Sequence, residues 1–348
     1  MSLDARLQSV WYGPAWRSLP LWPLALLFRA LIGLRAFLYR IGLLRAQHVG
    51  VPVIVVGNLT VGGTGKTPVA QWVARQLTAR GRRVGIVLRG YGGSHRGAPR
   101  VVTVADAASV VGDEAVLHAR QGCHVVVIGA DRVAAGRLAA ERGAEVIVCD
   151  DGLQHVRLAR DYEIAVVDGA RGLGNGWLLP AGPLREPARR LESVHAVVLT
   201  DRGGSQPVQT LNLRQPLQMT ARFALGRAVN LVTGEKRLLQ QFAGLPGLHA
   251  IAGIGNPAAF FTALREHGLD VQAHALPDHA VLDPTALAVP QDAIVLMTAK
   301  DAVKCAGIAR EGWWWVELEL EISRADATIW LESLLTRTGL TGAGVALG

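Results

Sequence analysis

Between residues 51 and about 200, short apolar runs alternate with stretches that fit amphipathic helices. The apolar runs are rich in Val and Ile, which is typical of strands that are buried on both faces of a sheet. Apolar strands separated by helices predict an α/β fold with a mostly parallel sheet. The predicted strands are Val53–Val56, Val84–Leu88, Val125–Ile128, Val146–Cys149, Ile164–Val167 and Ala196–Leu199, and the predicted helices include Val69–Ala79, Asp113–Gln121 and Arg132–Glu141.

The pattern changes after residue 200. A polar segment near Asp201–Pro207 and an alternating stretch at Val208–Ala224 predict a linker and antiparallel strands. We therefore expect an N-terminal segment at 1–50, a first domain at 51–205, the linker and strands at 206–225, and a second, smaller α/β domain at 226–348. The elements expected in that second domain are Leu248–Ile254, a helix from Pro257 to about His267, Val271–Ala275, Ala293–Met297, Trp313–Glu321 and a final helix near Ala325–Thr336.

The first fifty residues combine apolar stretches with basic side chains. They contain one acid, Asp4, and six arginines, at positions 6, 17, 29, 35, 40 and 45. Their longest uncharged run is shorter than the ~20 residues that a membrane-spanning helix requires. The small-residue cleavage site of a secretory signal does not follow an apolar core, so such a signal is not expected. An apolar helix with flanking arginines favours shallow attachment to an anionic membrane surface. The alternative is a helix that packs on the body of the protein.

Composition narrows the class of protein only slightly. The chain has 348 residues, enough for two domains, and half of them are hydrophobic. Its three widely spaced cysteines form no metal-binding or disulfide pattern, which fits a reducing cytosol. The net charge of +8 indicates an anionic partner, which could be nucleic acid, a phosphorylated substrate or a membrane.

A glycine-rich loop follows the first predicted strand and precedes a predicted helix. This order of strand, loop and helix is the context of a phosphate-binding loop, and the fold expected is that of a P-loop NTPase. Lys66 would reach the β- and γ-phosphates of a nucleoside triphosphate, and the Thr67 hydroxyl would bind Mg²⁺. Thr60 stands where the usual pattern has a glycine, so the loop is a variant. The alternative is a simple glycine-rich turn. The loop residues are Val61, Gly62, Gly63, Thr64, Gly65, Lys66, Thr67 and Pro68.

Other polar groups are expected at the same edge of the sheet. Asp150 and Asp151 end a predicted strand, as in a Walker B element, where a carboxylate holds Mg²⁺. The segment Arg89-Gly-Tyr91 also follows a strand, and ligands bind at the carboxyl ends of parallel strands. Asp113 opens a predicted helix, where it could be a helix cap or a general base; the residues alone favour the cap. A lone histidine such as His279 is usually structural.

Several of these segments together resemble the tetraacyldisaccharide 4′-kinase family, which phosphorylates a lipid A precursor. Three positions depart from the family pattern. Leu88 stands where a serine is expected, Leu153 replaces the usual phenylalanine, and Ala299 replaces a glutamate. The matching segments, in order, are Gly57-Asn58, Val61–Pro68, Arg89-Gly-Tyr-Gly-Gly93, Gly112-Asp-Glu114, Asp150-Asp-Gly-Leu-Gln-His155, Arg160-Asp161, Gly172-Leu-Gly-Asn-Gly-Trp-Leu-Leu-Pro-Ala-Gly-Pro-Leu-Arg-Glu186, Ala252-Gly-Ile-Gly-Asn-Pro257, Asp278-His279 and Thr298-Ala-Lys-Asp-Ala-Val-Lys304.

The resemblance implies that ATP and Mg²⁺ deliver a phosphoryl group to the 4′-hydroxyl of an acylated disaccharide 1-phosphate. It implies an acid–base pair of Asp113 and His279, aided by Lys66. Thr67, Asp150, Asp151 and Glu114 would hold the metal. It also strengthens the expectation of an anionic inner-membrane surface as a partner, on its cytoplasmic face, rather than nucleic acid. The residues expected near the substrate or in the cleft are Arg89, Tyr91, His155, Asn175, Arg185 and Glu186.

Two other interpretations remain. The tetrapeptide Thr298-Ala-Lys-Asp301 is similar to the guanine-recognition motif Asn/Thr-Lys-x-Asp, although its lysine is one position late. A GTPase with a protein partner is therefore one alternative. A soluble kinase for a small metabolite, with a purely structural N-terminal helix, is the other.

Overall fold

A computed structural model describes residues 3–201, 211–214, 216–277, 289–305 and 308–341. Within these ranges the chain forms a mixed α/β structure with an apolar helix near its N-terminus. The helices are α1 (Leu3–Trp11), α2 (Trp22–Arg40), α3 (Lys66–Thr78), α4 (Ala108–Val111), α5 (Asp113–Arg120), α6 (Arg132–Glu141), α7 (Pro257–Glu266), α8 (Ala299–Lys304) and α9 (Arg324–Thr338), with short 3₁₀ turns at Ala15–Leu21, Ala188–Ser193 and Leu239–Phe242.

The strands of the described residues belong to one sheet. They are β1 (Val53–Gly57), β2 (Val84–Leu88), β3 (Arg100–Val102), β4 (Val125–Ile128), β5 (Val146–Asp150), β6 (Tyr162–Asp168), β7 (Ala196–Asp201), β8 (Leu217–Asn230), β9 (Lys236–Arg237), β10 (Leu248–Ala252), β11 (Val271–Ala275), β12 (Ile294–Thr298) and β13 (Trp313–Ile322). Their order is β11-β10-β12-β13-β8-β7-β6-β1-β5-β2-β4-β3, with β9 beside β8. The pairing is parallel except for β13 with β8, β8 with β9, and β3 with β4. The mostly parallel sheet predicted from the sequence is therefore confirmed.

Two apolar layers explain why the predicted strands form. Side chains of β1, β2 and β5 point alternately into two separate clusters, one on each face of the sheet. Ile54 and Val56 contribute to the first cluster, and Val53 and Val55 to the second. A strand with both faces buried needs an apolar residue at every position, which is why these strands are continuous Val and Ile runs.

Much of the stretch that is predicted as a linker with antiparallel strands, residues 202–210 and 215, lies outside the described residues. From Leu217 it forms a single strand, β8, that runs on to Asn230. Its first half pairs parallel with β7, and it pairs antiparallel with β13 farther along. This strand continues the sheet from one predicted domain into the other. The domain boundaries themselves stay a prediction.

The C-terminal helix also connects the two halves. Trp330 on α9 stacks on Trp72 of α3 with ring centroids 4.7 Å apart, and Tyr162 of β6 donates a hydrogen bond to Ser333. Trp330 is fully buried in the same cluster as the core of the first domain. Helix α9 is therefore part of the packing that supports α3 and the glycine loop in front of it.

Helix α2 has one packed stripe and a largely exposed remainder. Ala25 is buried, and Phe28 and Ile32 pack against the second cluster. Trp22 stacks on Trp177 with centroids 4.5 Å apart. The continuous helical segment 16–40 has 25 residues, which is long and apolar enough to cross a membrane by length and composition alone, and only 6% of its most apolar window is buried. The segment is longer than expected because arginines interrupt the uncharged run without ending the helix.

Candidate active site

The glycine loop lies at the carboxyl end of β1 and leads into α3, as predicted. Gly65 has a φ of +90°, and a Cβ at this position would lie 2.4 Å from Cζ of Phe223. Only glycine fits such a close approach without strain. Thr60 is buried and bridges antiparallel to Leu184. The residue that stands in place of the usual glycine is therefore packed into the protein.

Hydrogen bonds from several elements fix the loop backbone. The Asn58 amide donates to the carbonyls of Thr60 and Gly62, at 2.7 and 3.3 Å. The Thr200 hydroxyl donates to the Thr64 carbonyl at 3.0 Å, and Arg171 donates to that of Gly63 at 3.1 Å. These hydrogen bonds tie the loop to β7 and to the segment that follows β6.

Lys66 is the first residue of α3 and lies next to the acids at the end of β5. Its Nζ is 3.7 Å from Oδ1 of Asp151, and Nη1 of Arg185 is also 3.7 Å from that oxygen. Asp151 has a φ of +55°, the one positive value among the described residues other than glycine. Strained backbone of this kind often occurs at functional sites. Three of the sequence-predicted residues thus meet in one cleft.

Asp150 forms a second, more deeply buried group. Its Oδ2 lies 3.0 Å from Nε2 of His118, and both side chains are almost inaccessible. Burial alone would raise the pKa of Asp150, but the hydrogen bond and charge of His118, with smaller effects of Lys66 and Thr67, outweigh it and lower the pKa. Glu114 lies one helical turn before His118. Burial, and then the charge of Asp150, raise the pKa of Glu114. The pKa values of the two carboxyl groups are therefore shifted in opposite directions.

His118 was not among the residues that the sequence analysis selected. Its signal was available, because the spacing from Glu114 is four residues on a predicted helix, which places both side chains on one face. What the sequence did not show is that this face is turned toward the end of β5.

The donor set of this cleft fits Mg²⁺. Among the described residues, Oδ1 of Asp150 and Oδ1 of Asp151 are buried without a hydrogen-bond partner. The Thr67 hydroxyl acts on Asp150 from nearby, and Asp150 acts electrostatically on Glu114. In the described part of the chain, no three His, Cys, Asp or Glu side chains are grouped closely enough to hold a metal alone. Mg²⁺ is usually bound by one or two carboxylates together with phosphates and water, and the two buried oxygens of Asp150 and Asp151 are donors of that kind.

Asp113 is the first residue of α5. The N-cap position belongs to Gly112, and Asp113 is in the first turn of α5. Gly112 has a φ of +92°, and a Cβ there would lie 2.4 Å from the carbonyl oxygen of Tyr91. The segment with Arg89 and Tyr91 is therefore packed directly against the turn that presents Asp113. Tyr91 itself is mostly exposed.

The remaining predicted residues have different surroundings. Burial, followed by the charges of Arg132 and Arg89, lowers the pKa of His155 to about 4. The Asn175 amide donates to the Ala181 carbonyl at 2.9 Å and accepts from the backbone of Trp177, so this side chain shapes its own loop. Glu186 pairs with Arg190 at 3.3 Å. His279 lies outside the described residues.

The tetrapeptide resembling a guanine-recognition motif has a structural role. Asp301 is fully buried and accepts hydrogen bonds from the Gly253 backbone at 2.9 Å and from the Thr298 hydroxyl at 2.6 Å. Its carboxylate therefore joins β10 to the start of α8. Lys300, by contrast, acts electrostatically on Glu114, so α8 brings a positive charge to the cleft.

Comparison with known proteins agrees with this site. The family model of tetraacyldisaccharide-1-P 4′-kinase matches residues 17–336. The chain belongs to this kinase family. A tetraacyldisaccharide 4′-kinase of Alkalilimnicola ehrlichii is 46% identical over 88% of this chain and 89% of its own. The corresponding protein of Pseudomonas paraeruginosa is 42% identical over 97% of this chain and all of its own length.

A solved structure supports the fold and the nucleotide. The crystal structure of LpxK from Aquifex aeolicus in complex with ATP is similar with a TM-score of 0.79 and 30% identity, covering 92% of this chain and 99% of that chain. The range matched by the family model includes α2 from its first residue and every predicted site residue from Val61 to His279. The resemblance stated from sequence motifs is therefore confirmed, whereas the individual residue roles stay predictions.

Proposed function

We propose that this kinase transfers the γ-phosphoryl group of ATP to the 4′-hydroxyl of a tetraacyldisaccharide 1-phosphate, a precursor of lipid A. The observation that carries the proposal is the meeting of the phosphate-binding loop with the acids that end β5, where Lys66 lies 3.7 Å from Asp151. The family membership of the chain supports the identity of the acceptor.

The roles of the residues follow from their positions. Backbone N–H groups of residues 62–67 and the N-terminus of α3 would bind the phosphates, and Lys66 would leave Asp151 to neutralise charge on the transferred group. Thr67, Asp150, Asp151 and Glu114 would hold Mg²⁺, which neutralises charge on the phosphates when it is bound.

Asp113 is proposed as the general base that accepts the proton of the attacking hydroxyl, paired with His279. Its position supports this role, because the first turn of α5 packs against the segment with Arg89 and Tyr91 at the same edge of the sheet as the phosphate-binding loop. Arg89, Tyr91, Arg185 and Glu186 would line the substrate cleft. His155 would contact the phosphates as a neutral ring, and Asn175 would act through the shape of the loop.

The GTPase alternative is disfavoured by the geometry of Asp301. A guanine-recognition aspartate must present its carboxylate to the base, but this one is fully buried on the backbone of Gly253. Turnover with ATP and with GTP distinguishes the two proposals. GTP turnover at the ATP rate without any lipid acceptor would contradict the kinase assignment.

A soluble kinase for a small metabolite is disfavoured by α2. Leu24, Leu27 and Leu31 each expose more than half of their surface, which a helix used only for packing would bury. We propose that α2 attaches the enzyme to an anionic membrane surface, on the cytoplasmic face of the inner membrane, where the acylated substrate is found. Nucleic acid is not required to explain the net positive charge, because the membrane and the phosphates are the anionic partners.

A further inference from the structure

His118 makes a buried polar contact that packing alone does not require. Its side chain is completely inaccessible, and Nε2 lies 3.0 Å from Oδ2 of Asp150. Since an ionised carboxylate can only accept hydrogen bonds, Nε2 is the donor. A histidine that only filled space in this core could be replaced by an apolar residue without leaving a buried polar group.

The two carboxylate oxygens of Asp150 have different surroundings. Oδ2 is held by His118, while Oδ1 is buried and has no hydrogen-bond partner among the described residues. A buried carboxylate oxygen without a partner costs free energy unless a ligand binds it. His118 therefore fixes the carboxylate plane and leaves one oxygen oriented for another group.

We propose that His118 is a positioning residue for the metal that accompanies ATP: it orients Asp150 so that Oδ1 is presented to the cation. The inference rests on the proposed assignment of Asp150 to Mg²⁺. Residues that orient metal ligands in this way typically change metal affinity by roughly 10–100-fold when they are replaced.

His118 and the candidate metal ligand Glu114 lie on the same helix, α5. Glu114 precedes His118 by one turn, and Asp150 interacts with both residues. Helix α5 thus contributes a candidate metal ligand and the group that orients the neighbouring ligand. A shift of this helix would displace both.

The test measures binding of Mn²⁺, as a probe for Mg²⁺, by electron paramagnetic resonance of the full chain with a non-hydrolysable ATP analogue. His118→Leu removes the donor, and we expect a roughly 10–100-fold loss of Mn²⁺ affinity with unchanged affinity for the analogue without metal. His118→Gln, whose amide nitrogen can replace Nε2, should retain most of the affinity. His118→Asn, whose amide is too short, should not. The last two variants carry the test if His118→Leu does not fold.

Two controls separate the possible failures. Val116→Ala alters the buried face of the same helix and should lower Tm without changing Mn²⁺ affinity. If the Leu and Asn variants of His118 bind Mn²⁺ as tightly as the wild type, His118 is only a packing residue and the inference is refuted. Asp150→Asn tests the underlying assignment: wild-type Mn²⁺ affinity in that variant would refute the metal role of Asp150 itself.

Discussion

The exposed leucines of α2 offer a test of membrane attachment that does not depend on catalysis. Leu24, Leu27 and Leu31 are 56%, 59% and 57% exposed. Complete burial of a leucine side chain is worth about 1.5–3 kcal/mol, so insertion of the exposed part gains about 1–1.5 kcal/mol for each. Replacing all three with Gln, which has a similar helix propensity, should therefore cost about 3–4.5 kcal/mol of membrane binding. This corresponds to a loss of roughly 10²–10³-fold in partitioning.

The assay is flotation of the purified protein with anionic and neutral vesicles, with Tm measured in parallel. We expect the triple variant to lose vesicle binding and to keep its Tm, because these positions have little contact with the body of the protein. Ile32→Ala is the matched control, since Ile32 packs on the second core cluster. It should lower Tm and leave flotation nearly intact. Unchanged flotation of the triple variant, with a large fall in Tm, would show that these leucines pack on the protein and do not bind the membrane.

Three further predictions concern the cleft. Lys66→Ala should abolish phosphoryl transfer without a change in Tm, because its charge acts on the transferred group; near-normal turnover of the folded variant in a labelled-ATP assay would contradict this. Asp113→Asn and His279→Ala should each lower kcat by roughly 10²–10⁴-fold, and the double variant should be little worse than either; fully multiplicative losses in kcat would separate the two residues. His155 has a pKa of about 4 in the folded chain, below the ordinary value of 6.5, so the unfolded state binds more protons between those values and His155 lowers stability as the pH falls from about 6.5 to 4. His155→Gln should flatten the dependence of Tm on pH in this window. Part of the slope should remain, because burial also lowers the pKa values of His195 and His249. If the difference in Tm between pH 4.5 and pH 6.5 is the same as in the wild type, His155 does not have a lowered pKa.

The strands and the phosphate-binding loop could be predicted because their sequence requirements are local. A strand with both faces buried must be apolar at every position, and residues 53–56 satisfy this without reference to the rest of the chain. The loop is similar, since Gly65-Lys66-Thr67 owes its geometry to its own backbone. The position of Asp150 and Asp151 could also be predicted. They follow an apolar run directly, and the carboxyl ends of neighbouring parallel strands meet at one edge of the sheet.

Features that depend on distant partners were missed or differently assigned. The edge strand Arg100–Val102 is three residues long and has too little apolar pattern to be recognised. β8 was assigned as part of a linker with antiparallel strands because its dual pairing, with β7 and with β13, depends on where those strands lie. His118 contacts a residue 32 positions away, and no local pattern indicates that contact.

The central claim is tested most directly by following labelled phosphate from ATP to a tetraacyldisaccharide 1-phosphate acceptor in detergent. The position of the new phosphate is determined on the isolated product, with Lys66→Ala as the inactive control. We expect label to enter the acceptor at its 4′-hydroxyl, only when Mg²⁺ is present, and not with the control variant. Release of label as inorganic phosphate alone, or its transfer to another position of the disaccharide, would contradict the account.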